Sequence, residues 1–142
     1  VGAVLTVGGG MALNVMFGKA KLAAMEEVSY NGRFGIERIS ASIRDARMIN
    51  SPIQGSSAPA ISLKNKDASR DPIIFDLLAQ TLRMQEGLGP IIDLTSNEVT
   101  VTNLNFFNIS YPNTPGAVRV EMTLKSGDFE KTFYTTENIR EK

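Results

Sequence analysis

The chain has 142 residues, with 15 Lys plus Arg balanced by 15 Asp plus Glu, so it offers no net field to hold a polyanion, and nucleic acid is not an expected partner. Cysteine, histidine and tryptophan are absent. That removes disulfides, thiolate nucleophiles, imidazole bases and the usual zinc ligands in one step.

Residues 1–18 contain no charged side chain. As a helix they would be about 27 Å long at about 1.5 Å per residue, slightly short of a hydrocarbon core of about 30 Å. Val1, Val4, Leu5, Val7, Met11, Leu13, Val15, Met16 and Phe17 are equally suited to lipid and to the inside of a helical assembly. With Gly8, Gly9 and Gly10 they form the predicted membrane or filament-core segment. Each glycine in a helix interior costs about 1 kcal/mol relative to alanine, so the triplet predicts local unwinding or very close backbone packing. It is not a phosphate-binding loop, because no strand precedes it and no lysine-serine pair follows. A cleaved signal peptide would need a basic start, whereas Lys19 and Lys21 follow the apolar run. A buried helix of a soluble domain is the competing reading, and the glycines and missing polar face argue against it. Val1 stands where a start methionine would, which implies a processed product or a piece of a longer protein.

From Lys19 the composition becomes mixed without a loop signal, which predicts that the same helix continues through residues 19–50. Met25, Val28, Gly32, Ile36, Ile39, Ile43 and Ala46 recur at three- and four-residue steps and so share one face, which needs an apolar partner. Met25, Val28, Ile36, Ile39, Ile43 and Ala46 are the predicted helix-to-sheet core. Glu26, Glu27, Arg33, Glu37, Arg38, Arg44, Asp45 and Arg47 read as a solvated opposite face. Phe17, Tyr30 and Phe34 lie off the apolar stripe, where they serve either as contacts to other subunits or as the rim of the core. Asn50, Ser51 and Pro52 predict the end of the helix, since the residue before proline is pushed out of the α region.

Residues 51–142 read as a β-rich globular head. Residues 60–64 and 73–78 are predicted strands, and residues 80–85 pair back on the second as a hairpin. Residues 91–94 make a crossing connection. Strands then follow at 99–104, 105–111, 117–125 and 129–135. In Val118, Val120, Met122 and Leu124 the apolar residues alternate with Arg119, Glu121, Thr123 and Lys125, the pattern of a strand with one buried and one wet face. Turn chemistry at 112–116 and 126–128 completes an antiparallel meander. The fold class is therefore α+β, a long N-terminal helix, half apolar and half amphipathic, packed on an antiparallel sheet.

No catalytic constellation is legible, so the chain is not read as an enzyme, and no cofactor is expected. Asn65, Asp67, Ser69 and Asp71 cluster oxygen donors as a calcium loop would, but the glycine bend and distal glutamate of an EF-hand are missing. A solvated turn is the simpler reading. Asp76 reads as an outward-facing strand residue. Asn108, Ile109 and Ser110 form a glycosylation sequon, a pattern that arises often by chance.

Three passages carry a family resemblance: NGRFGIERISASIRDARMI (31–49), IIFDLLAQTLRMQEG (73–87) and LTSNEVTVTNLNFFNISYP (94–112). In this order behind an apolar helix, the chain resembles type IV pilin-like proteins, in particular the minor pilins and the larger pseudopilins of type II secretion. The phenylalanine start and early glutamate of mature pilins have no match here, which implies that a short segment precedes Val1 in the native protein. The resemblance implies a non-enzymatic subunit that enters the membrane by its N-terminal helix. It is then extracted into a helical filament at the cell surface, in contact with copies of itself or other pilin subunits. The alternative is a membrane-anchored extracytoplasmic binding module that stays monomeric.

Overall fold

Among the described residues one helix, α1 (Gly2–Asp45), precedes nine strands. The computed structural model describes residues 2–140, and side chains from Gly18 onward. Val1, Val4, Leu5, Val7, Gly8, Gly9, Gly10, Met11, Leu13, Val15, Met16 and Phe17 are thus candidates whose side-chain environment lies outside the described residues. The backbone of α1 stays helical through Gly8–Gly10, so of the two outcomes expected of the triplet, local unwinding or very close backbone packing, the unwinding does not occur. The i→i−4 bonds on either side offset a glycine cost of about 1 kcal/mol per residue.

The helix ends at Asp45, five residues before the predicted stop. Residues from Ala46 onward form β1 (Ala46–Ser51), which pairs antiparallel with β3 (Ile61–Asn65), and this strand pairing overrides the helical spacing that reaches Ala46. The remaining strands are β2 (Ser57–Ala58), β4 (Ile73–Leu78), β5 (Thr81–Glu86), β6 (Ile92–Asp93), β7 (Thr100–Asn108), β8 (Ala117–Ser126) and β9 (Phe129–Asn138). The two strands predicted over 99–111 are one, β7, because all of it finds a partner in β8. The predicted crossing connection contains the short strand β6, paired with β5.

The strands divide between two antiparallel sheets and not one meander. The first has the order β1-β3-β4-β5-β6 and the second β2-β7-β8-β9. They join where Val101 N–H donates to the Gln80 carbonyl at 2.9 Å, while Leu94 N–H, donating to that of Leu82 at 2.7 Å, carries the β5–β6 pairing one residue further. Leu82 N–H in turn donates to the Thr95 hydroxyl at 3.1 Å.

The core lies among α1 and the inner faces of both sheets. Val28, Ile39 and Ile43 of the helix are wholly buried, with Ile61, Leu63, Ile73, Phe75, Leu82 and Met84 from the first sheet and Phe106, Val118, Val120, Met122 and Leu124 from the second. At about 25 cal/mol per Å² of apolar area removed from water, this cluster dominates the stability of the head.

Glycine sets how near the helix comes. A Cβ on Gly32 would stand 2.2 Å from the Phe133 ring of β9, and one on Gly35 would stand 3.0 Å from Leu82 Cδ2 and 3.2 Å from Met122 Cε. The helix gives up helical propensity at both sites for closer packing. We expect Gly32→Leu to lower the melting temperature by several degrees. Adding Phe133→Ala should recover part of that loss in thermal denaturation followed by circular dichroism; a double variant no better than the single would break the assignment.

Candidate assembly surface

The two faces of α1 have different fates. On the inner face, Val28, Ile39 and Ile43 sit in the core as the spacing predicts, and Ala46 is buried but from β1. Ile36 is half-buried against the same cluster. Met25 departs from its predicted core role, being 37% exposed. At about 100° per residue it falls on the flank of the stripe, as Ile43 does, but about five turns (about 27 Å) nearer the N-terminus, where the strands give it less cover. Every residue from 18 to 23 is exposed.

Asn31, which the apolar pattern passes over, is among the most enclosed polar residues. Its Oδ1 accepts from Ser96 N–H at 2.9 Å and its Nδ2 donates to the Glu27 carbonyl at 2.8 Å, so it ties the β6–β7 loop to the helix. Ionic contacts add to this. Arg38 and Arg70 both engage Glu86, and Arg70 also approaches Asp45 at 3.6 Å. The hydrogen bond from Arg70 to Glu86 is the main reason its guanidinium is held above its ordinary range. Exposed pairs of this kind contribute at most about 1 kcal/mol each, so they orient the helix more than they hold it.

The outer face keeps large apolar groups in solvent. Leu22, Met25, Tyr30 and Phe34 are all exposed, Tyr30 at 70%. The Tyr30 and Phe34 rings stack with centroids 6.4 Å apart and planes 9° from parallel. Together with Glu26, Ser29, Arg33 and Glu37 these four residues line an open groove of about 540 Å³. Burying a side chain of this size is worth about 1.5–3 kcal/mol, so the face gains most by being covered.

The other candidates resolve into local structure. In the turn between β3 and β4, Asp71 Oδ1 accepts from Asn65 N–H at 2.9 Å, and Asn65 Oδ1 accepts from Asp67 N–H at 2.9 Å. Asp67 Oδ1 accepts from the Ser69 hydroxyl at 2.7 Å and from Ser69 N–H at 3.0 Å. The oxygen atoms proposed for calcium therefore brace the turn itself. Among the described residues no three acidic side chains converge on a possible metal position. Asp76 faces Arg83 across β4 and β5 in a two-point pair at 2.9 and 3.0 Å, which pushes the Arg83 guanidinium up. Asn108 is buried, with Nδ2 donating to the Pro52 carbonyl at 2.9 Å and Oδ1 accepting from Ser110, so the folded head does not present this amide for glycosylation.

No family model, curated protein or solved structure matches the chain. Among the described residues no helix is long and apolar enough to cross a membrane.

The turn carries a pH signature. The Ser69 hydroxyl, then the Ser69 N–H, hold the Asp67 carboxyl below its ordinary 3.8. A depressed carboxyl stabilises the fold above its unfolded value, and that contribution disappears as pH falls through the lower folded value. Carbon-detected NMR titration should find Asp67 titrating below 3.8 and moving up in Ser69→Ala; an unchanged value in the variant would remove the hydroxyl as the cause.

Proposed function

We propose that the chain is a non-enzymatic structural subunit of a helical surface filament of the type IV pilus or pseudopilus kind. The observation that carries the reading is the division of labour along α1. One face of a single 44-residue helix contributes Val28, Ile39 and Ile43 to the core of the head, while its outer face leaves Leu22, Met25, Tyr30 and Phe34 in solvent. The stretch upstream of Lys19 has no charge with which to face water. The three sequence passages that resemble pilin-like proteins add support, and on that likeness the fold is pilin-like.

In this reading residues 1–18 rest in the membrane before assembly, and then exchange lipid for the same segments of neighbouring subunits. Such an exchange is feasible because both environments remove the apolar groups from water. The Tyr30–Phe34 ledge then packs on an adjacent helix just outside the filament core, with Arg33 between Glu26 and Glu37 setting which approaches are favourable. No cofactor takes part.

A membrane-anchored module that stays monomeric is the second reading. It is favoured by the outer face of the second sheet, where Arg119 lies 5.5 Å from the Phe107 ring centroid and 6.0 Å from that of Tyr134. Negative-stain microscopy of sheared surface material separates the two, since fibres containing this chain are expected for a filament subunit. Tyr30→Asp with Phe34→Asp should abolish those fibres while shifting the melting temperature of the head by no more than about 2 °C, because both rings are already in solvent. Chain found solely as a membrane-bound monomer overturns the filament reading.

A further inference from the structure

We propose that the free edge of β9 pairs with β9 of a second copy, antiparallel and in one register, to join two heads. Of the sheet edges, β2 and β6 are two residues each, and β1 carries two register irregularities. Those edges are too short or too uneven to recruit a strand. β9 is different, with ten residues paired to β8 in unbroken register, no proline and no bulge. Its composition, rich in Thr, Phe and Tyr, favours extended backbone.

The direction of its backbone groups follows from the turn. Ser126 and Phe129 flank a two-residue loop in which Gly127 has φ +58°, the left-handed conformation of a type II′ hairpin. In such a hairpin the flanking residues exchange both backbone bonds, so odd-numbered residues of β9 point their N–H and C=O groups at β8 and even-numbered ones away from it. Two bonds just past the strand agree, since Ile139 N–H donates to Gly116 on the β8 side and Arg140 N–H donates to Arg44 on the other. Glu130, Thr132, Tyr134, Thr136 and Asn138 therefore face the free edge, where no backbone partner is found among the described residues.

These five residues are centred on Tyr134. A two-fold axis through Tyr134 pairs Tyr134 with itself, Thr132 with Thr136 and Glu130 with Asn138 of the second copy, so every outward group is satisfied. The same register sets Lys131 opposite Glu137 twice and places no like charges face to face. A shift of two residues in either direction leaves an outward group unpaired and loses both Lys131–Glu137 pairings. The axis stands perpendicular to the sheet, and α1 lies against that sheet, so the second helix runs in the opposite direction. The contact is thus separate from any parallel stacking of helices and does not rest on the filament reading.

The full chain in detergent micelles tests this, with oligomeric state followed by light scattering over a dilution series. Because the chain has no cysteine, Tyr134→Cys gives a single thiol next to the axis. A short thiol-specific bifunctional reagent should couple it into a dimer, whereas Thr102→Cys, exposed on β7, should stay monomeric. Thr136→Pro removes an outward N–H from both copies and leaves the β8 ladder intact, so dimerisation should weaken by roughly tenfold or more with an unchanged melting temperature. Equal coupling at both cysteines, or dimers unaffected by Thr136→Pro, overturns the proposal. If Thr136→Pro fails to fold, the two cysteine variants decide it alone.

Discussion

The near contact of α1 with the strands is the constraint on which the head depends. Gly32 admits the Phe133 ring, and Gly35 admits Leu82 of one sheet and Met122 of the other, so a single turn of helix touches both sheets. Larger residues at these sites would lift the helix off the junction and open space around Val28, Ile39 and Ile43. The apolar contacts supply most of the stabilisation. Asn31 and the Arg38–Glu86–Arg70 contacts then select one rotation of the helix out of those that would bury similar area.

Much of this architecture can be read from local patterns. The alternation in β8 is unmistakable, and Val118, Val120, Met122 and Leu124 are all wholly buried. The helical spacing of Val28, Ile39 and Ile43 is equally direct. What remained hidden is non-local. Ala46 continues the helical stripe in sequence, yet pairing with Asn65 makes it a strand residue, and no pattern within residues 40–50 announces that. The division of the strands between two sheets, which meet at the Gln80–Val101 bond, depends on non-local pairing that periodicity cannot express. Met25 has the spacing of a core residue, but burial also requires that the head extend far enough along the helix to reach it.

The candidate surface was only partly legible for a related reason. Tyr30 and Phe34 stand out in sequence because they miss the apolar stripe, and the fold adds that their rings stack and line a groove with Leu22 and Met25. Asn65, Asp67 and Asp71 show the opposite case, since a spacing suggestive of ligands becomes, in three dimensions, a ring of acceptors for the turn's own N–H groups. Short polar side chains near glycine- or proline-rich turns bond to neighbouring backbone more often than to a ligand, and spacing alone does not distinguish the two.

The tie between the two ends of the head has a mechanical meaning. Arg140 N–H donates to the Arg44 carbonyl at 3.3 Å, and the Arg44 side chain meets Glu137 at 3.1 Å, so the last strand is fastened to the foot of the helix. Tension applied to the N-terminal end of α1 therefore loads the contact in shear. The helix has to slide its Gly32–Gly35 notch past Phe133 and Met122 with many contacts breaking together, instead of peeling away one turn at a time.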